Sequence, residues 1–172
     1  MKLFRVILIL CIALGVSSHC AVAQRVAVAS NALEWLTLSP NASVEIALSH
    51  KTTLAADFSF RINKTITDQF YNNTFAISYE FKRWFKQAMY GHYVGVNFLY
   101  TNFNSGFFGH NYAGDMPAIG ITYGYALVRN SRWNIVPCIG IGGGLYKEIG
   151  ASSRKIVPTL TEWGIKFQYV IK

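Results

Sequence analysis

Near the end of the chain, Trp163, Ile165, Phe167, Tyr169 and Ile171 stand at alternate positions, with Glu162, Gly164, Lys166 and Gln168 between them. That beat of two describes a strand with one face in an apolar medium and the other in a polar, crowded one. The beat recurs along the chain. A first strand is predicted within residues 25–38, others over 43–49, 53–62, 74–84, 92–102, 118–128 and 133–147, and an eighth after 157. Ser39-Pro40-Asn41 reads as a turn, and His50-Lys51-Thr52 and Arg129-Asn130-Ser131-Arg132 read as tight connections. Polar loops are expected over 63–73, 102–117 and 148–157. The links after strands two, four and six are thus short, and those after three, five and seven long. Only the first link breaks the order. Bacterial outer-membrane barrels sort their connections in this way, with short periplasmic turns and longer outer loops.

One face of these strands carries Ile, Leu, Val, Phe, Tyr and Trp, and the other Gly, Ala, Ser, Thr and a few charges. Small residues on the polar face suit a narrow lumen, since an eight-stranded barrel is just wide enough for its own side chains to fill. By parity Glu45, Asp57, Arg61, Glu80, Lys82, Glu162 and Lys166 fall inside, with both signs present for mutual pairing. Trp35, Trp84, Tyr93, Trp133 and Trp163 lie near strand ends and are expected in interfacial girdles. The fold class expected is all-β, an eight-stranded antiparallel up-and-down transmembrane β-barrel. The alternative is a soluble exported lipocalin-like barrel binding a small apolar ligand, which would keep its apolar face inside. The glycines sharing a face with the charges favour lipid outside.

Residues 1–23 read as a signal peptide and 24–172 as the barrel domain. Lys2 and Arg5 precede an apolar core, and Ala21-Val22-Ala23 supplies a small-x-small cleavage pattern. Cys11 and Cys20 leave with that leader, so Cys138 alone remains and no internal disulfide is expected. Later segments are too short and too polar for a transmembrane helix, which leaves spanning to strands. Removing Lys2 and Arg5 from the formal charge of +8 leaves +6. Much of that charge sits between strands, as in Lys82-Arg83 and Arg154-Lys155, where solvated turns account for it without nucleic acid.

Candidate chemistry adds little. Gly142-Gly143-Gly144 is followed by Leu145-Tyr146-Lys147 and lacks the Gly-Lys-Ser/Thr ending of a phosphate loop, so no cofactor is expected. His19, His50, His92 and His110 form no His-x-His or His-x-x-x-His pair, so no metal site is expected. For catalysis, His110 with Asp115 and Ser105 is a weak constellation for a lipid-modifying enzyme, the least favoured class, and no catalytic residue is assigned. The last strand carries a polar-x-Gly-x-x-apolar-x-apolar pattern at Glu162, Gly164, Phe167 and Tyr169. It resembles the C-terminal signal read by the bacterial barrel-insertion machinery. Phe103, Phe107, Phe108 and Tyr112, on an expected loop rich in Asn and Gly, are the candidate interaction surface.

Several stretches also resemble a family of small outer-membrane barrels of Bacteroidetes, grouped as a domain of unknown function, with some members encoded near fimbrial genes. The stretches are Ser30-Asn31-Ala32-Leu33, Val44-Glu45-Ile46-Ala47-Leu48, Gly91-His92-Tyr93-Val94-Gly95, Arg132-Trp133-Asn134-Ile135, Gly140-Ile141-Gly142 and Pro158-Thr159. Over residues 26–172 the resemblance implies an outer-membrane location and a role near surface fimbriae, with no catalytic residues. The reading that follows is a non-enzymatic integral outer-membrane protein with a structural or surface-interaction role, associated with fimbrial or envelope assembly. Its expected partners are outer-membrane lipid, the insertion machinery and a surface or periplasmic protein.

Overall fold

The structure is a computed structural model that describes residues 25–64, 71–107, 110–129, 132–148 and 153–171. Side chains are described for 25–61, 73–104, 113–129, 132–147 and 153–171. The expected leader lies outside the described residues. The elements are β1 (Val26–Asn31), a short helix α1 (Ala32–Leu36), β2 (Asn41–Ser49), β3 (Thr52–Lys64), β4 (Tyr71–Trp84), β5 (Gly91–Phe107), β6 (His110–Val128), β7 (Trp133–Glu148) and β8 (Lys155–Ile171). Each strand pairs antiparallel with its sequence neighbours. β8 returns to β1, with Val26 opposite Ile171 and Asn31 opposite Lys166, and the ring closes. Closure removes the two free edges that an open sheet would present. The chain is the expected all-β, eight-stranded, up-and-down barrel.

The alternation becomes a difference in burial. Phe81 is 50% exposed while its neighbour Lys82 is 2% exposed. Val44, Ile46 and Leu48 face outward from β2, and Ser43, Glu45 and Ala47 face in. A lipocalin-type barrel has the opposite sidedness. Large inward side chains fit because the facing strand often offers glycine. Gly95 stands opposite Lys82, Gly120 opposite Asn97, Gly124 opposite Tyr93 and Gly140 opposite Glu162. A Cβ on Gly124 would lie 2.4 Å from the Tyr93 ring.

Four expectations need correcting. The segment 32–36 is helical, not strand. Asn31 caps it by accepting from the Leu33 amide (3.2 Å), and its Nδ2 donates to Glu34 Oε1 (3.0 Å). This is an N-cap on the second helical amide, with the Asn31 backbone amide itself donating to Asn41 Oδ1 rather than to Glu34. Next, the expected loop over 102–117 is a hairpin in which Asn102 pairs with Asp115, Phe103 with Gly114 and Phe107 with His110. The other long loops shrink too, since β3 and β4 stay paired to Lys64 and Tyr71, and β7 and β8 to Tyr146 and Lys155. Link length therefore does not separate the two ends. Residues 50–51, 85–90 and 129–132 connect strands at one end, and 32–40, 65–70, 108–109 and 149–154 at the other. What differs is height, for the last four strands rise far past β1 and β2.

The third correction concerns Trp84 and Tyr93, which are buried rather than in a girdle (1% and 0% exposed). Trp84 has the inward parity of Glu80 and Lys82, and Tyr93 that of Gly95 and Asn97. Their rings pack with centroids 4.7 Å apart, and Met89, Ala88, Val136 and Ala126 join them to close the lumen at the chain-terminal end. Trp35, Trp133 and Trp163 do face outward. The fourth is a bulge where Gly140 and Ile141 of β7 meet Glu162 and Leu160 of β8. Thr161 and Glu162 both point inward there, so the parity of β8 reverses above the bulge.

Gly142 sits where a Cβ would come 2.0 Å from the Ile119 carbonyl oxygen, whereas a Cβ on Gly143 meets nothing within 4 Å. Gly142→Ala is therefore expected to cost about 1–3 kcal/mol through backbone displacement, and Gly143→Ala less than about 0.5 kcal/mol. Urea midpoints of the refolded barrels would separate the two.

Candidate functional site

The lumen is layered. Above the Trp84–Tyr93 floor lies a charged layer in which every charged group comes from an inward position on β2, β3, β4 or β8. Lys82 Nζ is 2.9 Å from Glu45 Oε2 and 3.4 Å from Glu80 Oε2. Lys166 Nζ is 2.8 Å from Asp57 Oδ1 and 3.1 Å from Glu162 Oε1. Glu45 also accepts from Thr53 Oγ1 and from Gln168 Nε2 (2.9 Å), and Asn134 Nδ2 donates to Gln168 Oε1 (2.9 Å). The Lys82 ammonium stands 5.0 Å from the centroid of the Tyr93 ring. Burying ions this deeply is tolerable only because each meets an opposite charge and further hydrogen bonds.

Asp57, Glu80 and Glu162 bring carboxylate oxygens within 4.8 Å of one another, the spacing of a metal cage. Two ammonium groups contact those same carboxylates, Lys166 on Asp57 and Glu162 and Lys82 on Glu80. The counter-charge is thus supplied by the protein. Around this layer Glu80 Oε1, Tyr93 OH, the Asn97 amide, Thr122 Oγ1 and Thr161 Oγ1 are buried with no hydrogen-bond partner among the described residues. Inward parity alone points to Asn97, Thr122 and Gln168. Thr161 is visible only once the bulge is known.

Above the charged layer a cavity of about 280 Å³ opens toward the end with the tall hairpins. Its lining includes Asn31, Glu34, Ser39, Asp57, Arg61 and Lys166. Arg61 does not join the carboxylates. Its Nε donates to Ser39 Oγ (2.6 Å) and its Nη2 to Thr37 Oγ1 (2.5 Å), on the connection that follows α1. Burial raises the Glu34 carboxyl above its ordinary 4.5, against the hydrogen bonds from Asn31 and Ser59 and the charge of Lys166. Asn31 also seams the barrel. Its Nδ2 donates to the Trp163 carbonyl (2.9 Å), and its Oδ1 accepts from the Ile165 amide (3.2 Å). The two groups straddle Gly164, where a Cβ would meet the Asn31 amide at 2.2 Å.

The other sequence candidates are dispersed. Within the proposed insertion pattern, Glu162 and Gly164 face the lumen, Phe167 faces out, and Tyr169 is half-buried and packs on Trp133 at 5.0 Å. Phe103 is on β5 at an inward position and stacks on Tyr146 at 5.7 Å, inside the mouth. Phe107 and Tyr112 lie on β5 and β6, but their side chains, and all of Phe108, lie outside the described residues. Asp115 pairs with Arg154 at 2.8 Å, and His50 lies in the turn at the chain-terminal end. His92 faces outward, with Nδ1 2.6 Å from Tyr123 OH, among Phe85, Tyr123 and Tyr125. The side chains of His110 and Ser105 lie outside the described residues, so that constellation has no geometry to assess.

A closed eight-stranded barrel with an ion-paired interior and an apolar exterior is the architecture of the small outer-membrane barrels. The crystal structure of Neisserial surface protein A (NspA) is similar, with a TM-score of 0.51 and 12% identity over 85% of this chain and 94% of that one. Residues 6–155 match the family described as "Protein of unknown function (DUF3575)", and the chain belongs to that family. The match ends where β8 begins, so the expected resemblance over the last strand is not covered by it. No curated protein matches.

Lys166 bridges carboxylates from β3 and β8. Lys166→Met keeps much of the side chain's bulk but leaves Asp57 and Glu162 facing each other without a cation. A loss of about 3–5 kcal/mol is expected. The triple change Lys166→Met, Asp57→Asn, Glu162→Gln should recover a large part of it, as read by urea unfolding in lipid.

Proposed function

We propose that the chain is an integral outer-membrane β-barrel that performs no catalysis and serves the envelope as a structural or docking element. The observation that carries this is the sidedness. Residues such as Phe98, Ile119, Ile121, Ile139 and Ile141, each more than half exposed, belong to an apolar belt. Water-soluble monomers rarely carry an apolar patch beyond a few hundred Å². Inside, Lys82 and Lys166 are matched by Glu45, Glu80, Asp57 and Glu162, and the lumen is floored by aromatic side chains. No described helix is long and apolar enough to cross a membrane.

The start of β1, the end of β8 and the connections after β2, β4 and β6 then lie on the periplasmic side. The tall β5–β8 hairpins reach the cell surface and offer the docking surface, with Phe103 and Tyr146 bracing the mouth from within. On this reading Glu162, Gly164, Phe167 and Tyr169 on β8 are presented to the insertion machinery during assembly. The fimbrial association implied by the family resemblance is the finer form of the proposal. Crosslinking from a hairpin-tip position in intact cells would support it by capturing a fimbrial or envelope subunit, and capture of neither would discard it.

Two measurements test the main reading. In outer-membrane fractions of cells making the full chain, unboiled and boiled samples should migrate differently on a gel. A soluble periplasmic protein with no shift would overturn the proposal. Separately, Ile121→Lys should destabilise a lipid-embedded barrel by about 2–4 kcal/mol at mid-belt. In a water-exposed barrel it would be close to neutral.

A further inference from the structure

The barrel wall is low on one side. β1 pairs with β8 only as far as Asn31 and Lys166, so β8 from Lys155 to Ile165 has no strand on that edge. β2 begins at Asn41, opposite Ser59, and β3 beyond Phe60 has no β2 partner. The connection 32–40, with α1, lies across this notch and is tied to β8 through Asn31. The cavity above the charged layer runs into the notch, because its lining includes the outward-facing Ala42, Phe58, Leu160 and Trp163 as well as the lumenal groups.

The cavity is therefore amphipathic across the wall. Its outer rim is apolar, with Phe58, Leu160 and Trp163 exposed, and Trp35 and Leu36 of α1 are exposed as well. Its inner part holds two opposite charges that make no ion pair among the described residues. Arg61 is positioned by two hydroxyls, with Nη1 uncommitted to any described residue. Glu34 meets only the Asn31 and Ser59 side chains. The nearby Lys166 is already engaged by Asp57 and Glu162.

We infer that this notch is a lateral binding site for a membrane amphiphile whose headgroup carries both a phosphate and a primary ammonium. The phosphate meets the Arg61 guanidinium, the ammonium meets Glu34, and the acyl chains stay outside along Phe58, Leu160 and Trp163. A guanidinium suits a phosphate through directed, charge-assisted hydrogen bonds. A primary ammonium gives Glu34 the counter-charge that burial makes costly to lack, and it can donate hydrogen bonds where a quaternary ammonium cannot. The inference rests on the membrane-embedded reading proposed above.

The test uses the mature full chain in detergent, shown to be folded by its gel shift. The barrel is equilibrated with an equimolar mixture of phosphoethanolamine, phosphocholine and phosphoglycerol lipids of identical acyl chains, and bound lipid is read by native mass spectrometry. The phosphoethanolamine lipid should be retained about tenfold over each of the others, the size of one charge-assisted hydrogen bond. Glu34→Gln should bring it down to the phosphocholine level. Arg61→Gln should lower retention of all three, and both variants should keep the gel shift. Equal retention of the three lipids by a folded wild-type barrel would overturn the inference while leaving the membrane reading intact. So would a preference that survives both substitutions. Binding of water-soluble glycerophosphoethanolamine as tight as that of the lipid would overturn the lateral entry, since the chains would then contribute nothing. Absence of the gel shift would overturn the membrane reading itself.

Discussion

Lys82 and Lys166 enter a lumen closed below by aromatic side chains, and each has to find its carboxylates there. The partners come from β2, β3, β4 and β8, so the ammonium groups connect strands that backbone pairing alone would hold only to their neighbours. The rest of the interior accommodates that requirement. Glycines on β5, β6 and β7 vacate the wall opposite the long side chains, and Gln168 and Thr53 supply the hydrogen bonds that the carboxylates still need. Substituting an apolar residue for one lysine would leave two buried carboxylates facing each other, a far larger cost than the ion pair's net worth.

The same requirement explains what the sequence makes visible. Where one face of a strand meets an apolar medium and the other a narrow polar interior, the alternation of two is strict. Residues 43–49, 74–84 and 118–128 are accordingly strand, as their pattern predicts. Above the apolar belt neither face is constrained, and Asn102–Phe107 and His110–Pro117 read as loop although their backbones are fully paired. Residue type alone points Trp84 and Tyr93 to the interface, against their own parity, and parity prevails because a register shift would turn every neighbour around. α1 is too short for a helical period to show, but Asn31 with Glu34 three residues on is a helix-start spacing legible in the sequence, and Asn31 does cap α1. The glycines around Gly140 are a signal that permits a bulge but does not fix its place. That place follows from how β7 and β8 pair, so the inward turn of Thr161 next to Glu162 needed the structure.

Of the candidate site, the seven lumenal charges were visible by parity, but their division was not. Six lie in or beside the two lysine clusters, whereas Arg61 stands apart with Ser39 and Thr37. Parity says which way a side chain points and is silent on its height in the barrel. Height comes from register, and Arg61 pairs with Thr74, well above the Asp57–Ser78 level. The unpaired guanidinium is a consequence of that height, because the described carboxylates below it are already engaged by lysines.

β8 joins the two unequal halves of the molecule. Its lower part, from Lys166 to Ile171, is fully paired with β1 and completes the ring, while its upper part continues as the edge of a tall hairpin beside a low wall. The transition falls at Gly164, where the Asn31 side chain replaces the next rung of strand pairing with side-chain hydrogen bonds to Trp163 and Ile165. A side chain at 164 would collide with that amide. Gly164 thus belongs both to the pattern that resembles an insertion signal and to the seam that the finished barrel needs. The asparagine that seals the seam is also the helix cap, so the position of α1 over the notch and the end of β1–β8 pairing are set by one residue. A barrel closed in this way can be ion-paired and shut at its floor while remaining open sideways at its rim.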